Sequence, residues 1–522
     1  MSRLSQGSRL RQGYGGQAGG QGLIAAALAV AMALGLAAFG VVRGTWAVGG
    51  SDSSCYALMA KAFASGSWQP HSSLADAPWP DVSRTLAPGG FIASPLHADA
   101  AAPICAPGMS VLMAPLAAIF GQDAIFWLTP IAAFFLVLAA FAIARQFAGG
   151  MAGATAAILT ATSPIVLFQA VQPMNDILTA ALWLSAVAVG GRQFFSGALI
   201  GLAILVRPNL APLAIVLAAI PFLQHRTREQ KLRGLVAMIA GSLPGVLVLL
   251  WLNRALYGSV LGSGYGAASS LFAIDHINEN LANYSRAIFQ TQNVVPLIGL
   301  LAPFAFVGIK RQAAVLVLAF AGGVVAIYLP YSPFPEWWYL RFLIPALVAL
   351  LILASAVSVH LLARANMGGL IPIVAVVLGV IGTRAAGDRQ AFELQRMEGR
   401  YRETANLVRD RLPGNAVLIT VWESGSVRFH ADREIVMWES LDPAWLDNAL
   451  TWLRSKQLQP YFLFERREEP EFRARFRGQS EVGGLDWPPR FDLNRLVRIY
   501  DPADRARFLA GEKYATENVR LR

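Results

Sequence analysis

Three carboxylates border long apolar segments of this sequence. Asp52, Asp176 and Glu336 each lie at the end of such a segment, and no carboxylate lies in the middle of one. A carboxylate in this position can take a proton from a hydroxyl group, bind a metal ion, or accept hydrogen bonds from the first amides of a helix. We take Asp52 as the candidate general base and Asp176 as a second catalytic candidate, with helix capping as the alternative for both.

The basic residues near the same segment ends are candidates for binding a phosphate. Arg341 follows three aromatic residues at 337–339 and directly precedes an apolar segment. A forked guanidinium suits a phosphate oxyanion and stabilises charge that develops on a leaving group. The alternative for Arg341 is an ordinary anchor in an aromatic belt at a membrane surface. Lys61 and Arg84 are reserve cations, for which a solvated side chain is the alternative.

Two further residues are candidates for contacting a substrate. Glu336 lies beside the aromatic residues at 337–339, and Tyr265 lies between two glycines, where it either stacks on a sugar or simply forms a turn. Arg207 interrupts an apolar stretch, where a charge is costly unless it is paired. Arg207 therefore either bridges helices or counters Asp176, and we favour the structural role.

The chain divides into an apolar part and a charged part. Of its 522 residues, 55% are hydrophobic and 14% are charged, and the mean hydropathy is +0.48. A soluble chain carries about 25% charged residues, so an ordinary cytosolic enzyme is excluded. The first 383 positions hold 29 charged residues, and the last 139 hold 46. These numbers predict a polytopic α-helical membrane protein with a C-terminal soluble domain.

Apolar runs predict about eleven transmembrane helices. The runs cover residues 23–42, 124–143, 151–171, 177–190, 235–252, 295–309, 313–329, 342–362 and 370–381, together with a hairpin of two short helices over 195–223. The hairpin is predicted because that stretch is too long for one crossing and is broken at Arg207-Pro208, where proline removes an amide donor.

The basic residues also predict an orientation. With the N-terminus in the cytoplasm, most Lys and Arg residues of the membrane part lie on the cytoplasmic side, and nine of its ten acids lie outside. An odd number of crossings then places the C-terminal domain outside the cytoplasmic membrane, in the periplasm or the extracellular space, and the short loops suggest a bacterial inner membrane. The net charge of +11 belongs mainly to membrane loops, so no nucleic-acid partner is expected.

The predicted organisation has three parts. Residues 1–22 are polar and Gly-rich and are expected to be disordered, before an uncleaved membrane anchor. Residues 23–383 form the membrane domain, with a long first external loop at 43–123. Residues 384–522 form a small α/β domain with a mainly parallel sheet, because a helical pattern near 390–412 precedes strand-like runs at 416–422, 434–438, 461–464 and 496–500. We expect this domain to bind the acceptor or to cover the cleft.

The two cysteines of the chain, Cys55 and Cys105, both fall in the first external loop. An oxidising compartment permits a disulfide there, and such a bridge would tie the Asp52 segment to the segment that begins at Pro107. Two buried, unpaired thiols are an equally good interpretation.

An ordered set of motifs resembles a known superfamily. It comprises Asp52-Ser53-Ser54-Cys55-Tyr56, Pro107-Gly108-Met109, Gln172-Pro173-Met174-Asn175-Asp176, Arg207-Pro208, Gly264-Tyr265-Gly266 and Tyr339-Leu340-Arg341-Phe342-Leu343-Ile344-Pro345. In this order and on this side of the membrane, the set is similar to the motifs of the GT-C glycosyltransferases, which include protein O-mannosyltransferases and aminoarabinose transferases. The similarity extends over nearly all of the first 380 residues and adds Tyr56 to the substrate-binding candidates.

The resemblance implies a GT-C fold and transfer of a sugar from a polyprenyl-phosphate donor to a lipid, glycan or protein acceptor outside the membrane. An Asp base would deprotonate the acceptor hydroxyl in a single displacement through an oxocarbenium-like state. Ser53 stands where many relatives carry a second acid, and His71 and His97 lack zinc-ligand spacing. No cofactor is therefore certain, and a divalent metal stays an open alternative.

Two other functional classes stay open. A lipid or oligosaccharide transporter, or flippase, predicts functional groups in the middle of the membrane and internal repeats, and neither is found in the sequence. A non-catalytic, sugar-binding membrane scaffold predicts that Asp52 can be replaced without loss of activity.

Overall fold

A computed structural model of the chain describes residues 7–224 and 227–521. The helices of these residues are α1 (Gly7–Val42), α2 (Gly50–Ala64), α3 (Val82–Thr85), α4 (Gly108–Phe120), α5 (Leu128–Ala161), α6 (Pro164–Ala170), α7 (Asn175–Ala188), α8 (Gln193–Val206), α9 (Leu213–Leu217), α10 (Ile220–Gln224), α11 (Arg228–Tyr257), α12 (His276–Gln292), α13 (Val295–Ile298), α14 (Ala302–Ala305), α15 (Gly308–Tyr328), α16 (Ile344–Arg364), α17 (Ile371–Asp388), α18 (Leu394–Arg411), α19 (Ser424–Ser426), α20 (Leu446–Ser455), α21 (Glu468–Phe476) and α22 (Asp504–Leu509). The strands are β1 (Phe91–Ala93), β2 (Ala101–Pro103), β3 (Ala416–Ile419), β4 (Glu434–Val436), β5 (Gln459–Glu465), β6 (Phe491–Leu493), β7 (Val497–Tyr500) and β8 (Glu517–Val519).

The chain folds into two compact units. The helical unit comprises the described residues up to Gly44 together with Trp127–Val248 and Ala268–Phe392. The mixed unit comprises Thr45–Phe126, Leu249–Ala267 and Glu393–Arg522. The first external loop, which we expected to belong to the membrane domain, therefore folds with the C-terminal residues, and the C-terminal segment begins nearer to 393 than to 384.

The expected count of eleven membrane crossings is not confirmed. Among the described residues, six helices are long and apolar enough to cross a membrane, and up to eight are if each bent pair counts as one span. Part of the difference lies in α5, which turns at Ala148 and at Gly149, whose φ is +81°. A Cβ atom at Gly153 would lie 2.6 Å from the Phe141 ring, so the two halves of α5 fold back closely against each other.

The N-terminal segment differs from the expectation of disorder. Helix α1 begins at Gly7, so residues 7–22 continue the helix of the apolar span, and residues 1–6 lie outside the described part of the chain. Extension of an existing helix adds one hydrogen bond for each residue fixed, although each glycine costs about 1 kcal/mol relative to alanine. The span itself is Gly22–Val42.

Glycine allows two helices of the helical unit to approach closely. A Cβ atom at Gly201 in α8 would lie 2.4 Å from the Ser242 carbonyl oxygen in α11, and one at Gly245 would lie 2.4 Å from Gly201. Small residues at such contacts let helix backbones pack without a strong hydrophobic driving force, as membrane helices require.

Two interruptions of helices occur at the polar residues singled out above. Helix α8 ends at Val206, directly before Arg207-Pro208, as the proline predicts. Helices α6 and α7 meet at an angle of 116°, and Asp176 is the second residue of α7. Both interruptions bring polar side chains to the ends of helices, where backbone groups need additional partners.

The mixed unit contains a six-stranded sheet in the order β4-β3-β5-β7-β6-β8. Strands β4, β3 and β5 are parallel, β7 is antiparallel to β5 and β6, and β8 is parallel to β6. The α/β layer is thus present, with a mixed sheet rather than a mainly parallel one. The difference arises because β6 and β7, which are joined by a tight connection, pair as a hairpin.

The core of the sheet includes residues of the first external loop. Leu74, Trp79 and Leu86 pack in one buried cluster with Val417 of β3 and Phe462 of β5. A segment that supplies core residues cannot leave without exposing apolar surface, at a cost of about 25 cal/mol per Å². This shared core explains why the loop and the C-terminal residues form one compact unit.

A disulfide joins Cys55 in α2 to Cys105, just before α4, across a sequence separation of 50 residues. The Cys105 amide also donates a hydrogen bond to Cys55 Sγ at 3.2 Å, and both residues are buried. Of the two interpretations of the sequence, the structure contains the bridge. It ties the Asp52 helix to the Pro107 segment.

Loss of this bridge is predicted to destabilise the mixed unit. In the chain-entropy model a loop of this length contributes about 4 kcal/mol, and the double change Cys55→Ala and Cys105→Ala removes it without leaving a free thiol. Thermal unfolding of the detergent-purified protein should show a lower Tm for the double variant, and reductant should lower the Tm of the wild type only. An equal Tm in both proteins under oxidising conditions would contradict the prediction.

Candidate functional site

Asp52 lies in the first turn of α2, at the third position of the helix. The N-cap residue is Gly49, and no side chain caps this end of the helix. Asp52 is therefore not the N-cap residue, which was the alternative to a catalytic role. The Asp52 side chain is half-buried, and its negative charge is stabilised by the helix dipole at this end.

The residues that follow Asp52 fix its turn. Ser53, Ser54 and Cys55 are buried, and the Ser53 hydroxyl donates a hydrogen bond to the Gly49 carbonyl oxygen. Tyr56, a substrate-binding candidate, is only 5% exposed, and its carbonyl oxygen accepts a hydrogen bond from Ser110 Oγ at 2.9 Å. The Tyr56 side chain lies inside the unit, and its role in substrate binding stays a prediction.

Lys61 is engaged within the mixed unit. Its ammonium group contacts the Asp432 carboxylate at 3.0 Å and donates to the carbonyl oxygens of Arg428 and Phe429 at 3.4 Å. An ammonium group has three donors, and all three have protein acceptors here. These contacts fix the end of α2, and the role of Lys61 as a reserve cation for the donor phosphate stays a prediction.

The remaining candidates are exposed or partly exposed. Arg84 is exposed on the short helix α3, as the solvated alternative predicts. Tyr265 is 41% exposed beside Gly264, which packs so closely that a Cβ atom there would lie 2.0 Å from the Pro103 carbonyl oxygen. Glu336 is exposed at the start of the 3-10 helix Trp337–Leu343. Tyr265 and Glu336 are accessible to a ligand, each within its own unit.

The helical unit contains a buried ion pair. Asp176 Oδ1 lies 2.8 Å from Arg207 Nη2, and the same nitrogen donates to Asn175 Oδ1 at 2.7 Å. Asp176 has no exposed side-chain surface, and Arg207 is 11% exposed. Arg207 therefore counters Asp176, and by the same contact it bridges the break after α8 and the first turn of α7, so the geometry fits both roles considered for it.

Arg341 and Arg207 lie near the same aromatic ring. The guanidinium carbon of Arg341 is 5.2 Å from the centre of the Phe342 ring, and that of Arg207 is 5.6 Å from it. Arg341 is also 5.3 Å from the Tyr339 ring. The three ionic groups Arg341, Arg207 and Asp176 carry one net positive charge, which suits an anionic ligand such as a phosphate.

An aromatic cluster surrounds this group, and sequence reasoning did not anticipate its extent. Tyr328 stacks on Phe342 with a centroid distance of 5.1 Å, and Phe334 stacks on Tyr339 at 3.9 Å. The signal was present as the aromatic residues at 328–342, but only the fold shows that α15 and the 3-10 helix bring them together. The cluster holds two guanidinium groups by cation–π contacts, which are worth about 0.5–2 kcal/mol each.

The described residues do not form a ready metal site. In residues 7–224 and 227–521, no group of three His, Cys, Asp or Glu side chains is placed to hold a metal ion. Asp176 is already paired with a guanidinium, and Asp52 has Ser53 and not an acid beside it. These donors do not fit a divalent metal, and no step below is assigned to one.

Sequence reasoning missed two buried carboxyl groups in the mixed unit. Glu423 and Glu468 have no exposed surface, and they follow β3 and β5 at the carboxyl edge of the sheet. Burial raises the pKa of Glu468 to about 7 and the pKa of Glu423 well above its usual range. Glu468 accepts hydrogen bonds from the amides of Val421 and Trp422, both at 3.2 Å. Glu468 thus holds the chain that follows β3 and is partly neutral at pH 7, and burial favours the neutral form of Glu423.

His430 is a partly buried titratable group, and it contacts the chain just before α2. Its Nε2 atom accepts a hydrogen bond from the Val48 amide at 3.2 Å. Burial, with Arg402, Lys61 and Arg409 nearby, lowers the pKa of His430 to about 3. The imidazole is therefore neutral at physiological pH, and its Nε2 atom can accept the hydrogen bond from the Val48 amide.

The fold of the chain is shared with solved membrane glycosyltransferases, although no family model and no curated protein matches the sequence significantly. ArnT from Cupriavidus metallidurans in the apo state matches with a TM-score of 0.58 and 14% identity, covering 86% of this chain and 94% of that one. The same enzyme bound to undecaprenyl phosphate matches with a TM-score of 0.57 and 13% identity over the same shares.

A second solved protein has the same fold. The oligosaccharyltransferase AglB from Archaeoglobus fulgidus, in complex with an inhibitory peptide and a dolichol-phosphate, has a TM-score of 0.52 and 14% identity. The match covers 86% of this chain and 70% of AglB. ArnT and AglB are GT-C superfamily glycosyltransferases, so the GT-C fold expected from the motifs is confirmed.

Breaking the buried ion pair is predicted to destabilise the helical unit. Arg207→Ala leaves the Asp176 carboxylate buried without its counter-charge, which costs about 3–5 kcal/mol. Asp176→Asn together with Arg207→Ala should cost less than Arg207→Ala alone, because no charge is then stranded. A double-mutant cycle by thermal unfolding in detergent measures this coupling, and strictly additive effects would contradict it.

Acidification is predicted to destabilise the mixed unit through His430. Because the folded-state pKa is depressed, the unfolded chain takes up a proton that the folded chain does not, and stability falls as the pH drops from about 6.5 towards 3. His430→Gln keeps an acceptor for the Val48 amide and has no titrating group. Tm measured from pH 8 to pH 5 should fall less in this variant than in the wild type, and parallel curves would contradict the prediction.

Proposed function

We propose that this chain is an integral membrane glycosyltransferase that moves a sugar from a polyprenyl-phosphate donor to an acceptor outside the cytoplasmic membrane. The observation that carries the proposal is the GT-C fold, which extends over 86% of the chain and 94% of ArnT. Structures with this fold were solved with undecaprenyl phosphate and with dolichol-phosphate, the lipid carriers that such a donor contains.

The helical unit offers a site for the donor phosphate. Arg341 and Arg207 both lie near the Phe342 ring, and with Asp176 they leave one net positive charge next to an aromatic cluster. Guanidinium groups held by ring contacts and an ion pair are preorganised, so they stabilise the negative charge that grows on the departing phosphate. Trp337 and Trp338 beside this group suit the boundary between lipid and water.

Asp52 is proposed as the general base. Its carboxylate takes the proton of the acceptor hydroxyl while that oxygen bonds to the anomeric carbon of the sugar. The bond between the anomeric carbon and the phosphate oxygen breaks in the same step, and polyprenyl phosphate leaves with the electron pair. This single displacement inverts the anomeric configuration and needs one carboxylate, as found in the first turn of α2.

The proposed location has support from charge and from redox state. The distribution of basic residues supports an N-terminus in the cytoplasm, and the odd number of crossings expected from the sequence would then put the mixed unit outside a bacterial inner membrane. The Cys55–Cys105 disulfide belongs to the mixed unit, and disulfides persist in oxidising compartments outside the cytoplasm.

The donor site predicts a specific lipid bound to the purified protein. Mass spectrometry of lipids that co-purify in mild detergent should detect a polyprenyl phosphate or its glycoside with the wild type. Arg341→Ala should reduce that signal about tenfold or more, because a charge-assisted contact to phosphate contributes about 1.5–3 kcal/mol. Arg364→Ala is the matched control, since it removes an exposed arginine from the opposite end of the adjoining helix α16.

Two results would argue against the proposal. Equal polyprenyl-phosphate content in Arg341→Ala and Arg364→Ala would remove Arg341 from the donor site. Recovery of ordinary phospholipids alone with the wild type would favour a lipid transporter over a transferase.

A further inference from the structure

The helix that carries Asp52 lies along a helical segment of the C-terminal part of the mixed unit. This segment, here called the brace, comprises residues 424–432: helix α19, the π-helical turn Val427–Ala431 and Asp432. The start of the brace contacts Ser54, and its end contacts Lys61. The contacts advance along both segments together, so α2 and the brace run side by side in the same direction.

The closest contact is between Gly425 of the brace and Ser54 of α2. A Cβ atom at Gly425 would lie 2.1 Å from Ser54 Oγ and 2.5 Å from Ser54 Cβ. Ser54 is two residues after Asp52 and is 1% exposed. Any side chain at position 425 must therefore displace the first turn of α2, and only glycine permits the observed position.

A second contact reaches the same turn through the loop before β1. The Gly89 amide donates a hydrogen bond to Ser424 Oγ at 3.0 Å. The next residue, Gly90, has a φ of +89°, and a Cβ atom there would lie 2.1 Å from the Ser51 carbonyl oxygen. The turn that carries Asp52 is thus fixed by Gly425 and, through Gly89 and Gly90, by Ser424.

The far end of α2 is fixed by charge. Lys61 Nζ lies 3.0 Å from the Asp432 carboxylate and donates to two carbonyl oxygens of the brace. A helix held at both ends, seven residues apart, cannot rotate or slide without losing one set of contacts. The brace therefore determines both the position of α2 along its axis and its rotation about that axis.

The brace lies where a ligand site is common in α/β sheets. The brace begins at the carboxyl end of β3, where the chain turns towards β4 on one side while β5 lies on the other. In α/β sheets the carboxyl ends of strands at such a reversal form the usual ligand crevice. Here α19, at this edge, packs against a helix of the same chain.

We propose that the brace is a positioning element for catalysis, in which Ser424 and Gly425 set the place of Asp52. The inference rests on the proposed function, because it takes Asp52 as the general base. It assigns the C-terminal part of the mixed unit a direct role in the transfer step, beyond covering a cleft or binding an acceptor. Ser424 and Gly425 act through α2 and touch no substrate.

The test is Gly425→Ala together with a compensating change in α2. The new methyl group should push Ser54 and move Asp52, and a displacement of about 1 Å lowers kcat on the order of 100-fold, with little change in KM for the lipid donor. Ser54→Gly removes both atoms that the methyl group meets, so the double variant should recover most of the lost kcat. Gly399→Ala in α18 is the control, because a Cβ atom there has no atom within 4 Å.

A readout independent of activity keeps the two proposals distinguishable. Hydrogen–deuterium exchange of peptides from residues 50–64 should rise in Gly425→Ala and return towards the wild-type rate in the double variant. If Gly425→Ala does not fold, Ser424→Ala should give a smaller rise in exchange and a smaller loss of kcat, because it removes the acceptor for the Gly89 amide and the donor to the Val421 carbonyl oxygen but adds no atom against α2.

The outcomes separate as follows. If the wild-type protein is active, either of two results would overturn the positioning role. One is unchanged exchange and unchanged kcat in Gly425→Ala, and the other is a loss of kcat in Gly425→Ala that the added Ser54→Gly does not relieve. A wild-type protein that transfers no sugar from any polyprenyl-phosphate donor would overturn the proposed function and with it the catalytic role of the brace. In that case, the exchange data would show whether the brace still holds α2.

Discussion

The helical unit depends on one electrostatic constraint, which is that a carboxylate buried among apolar helices must have a counter-charge. Asp176 has no exposed surface, and Arg207 supplies the charge at 2.8 Å. To bring the two together, α6 and α7 meet at 116° and α8 ends before Pro208. The guanidinium then lies near Phe342, whose ring also contacts Arg341. One ion pair thus links the broken helices, the aromatic cluster and the proposed phosphate site.

The mixed unit must hold a short helix, α2, in a defined position. Helix α2 has 15 residues, too few to be stable alone in water. A disulfide, a shared apolar core and close contacts at glycine hold it in place. These interactions differ in kind and act at separate points along the chain. Asp52 therefore has a defined position, as a general base requires.

The sequence predicted features that depend on local chemistry or on composition. The membrane character, the break at Arg207-Pro208, the strands near 416 and 461 and the GT-C motifs follow from hydropathy, proline and residue order. The number of crossings is not confirmed, because several apolar runs form short or bent helices, although α5 turns at Gly149, between the predicted runs 124–143 and 151–171. The pairing of Lys61 with Asp432 joins residues 371 positions apart and has no local signal. The burial of Tyr56 was missed for the same reason, since α2 packs on segments from distant parts of the sequence.

The central claim is that Asp52 acts as the base in sugar transfer from a polyprenyl-phosphate donor. The most direct test uses the protein in nanodiscs with a polyprenyl-phosphate sugar as the donor and an envelope extract as the source of acceptor. Mass spectrometry then measures how much of the donor is converted to free polyprenyl phosphate. The account predicts that the wild type converts the donor and that Asp52→Asn lowers the rate of conversion on the order of 100-fold or more, which is in the range that general-base catalysis contributes. The amount of donor bound to the protein should be unchanged in this variant. Equal conversion by both proteins would contradict it.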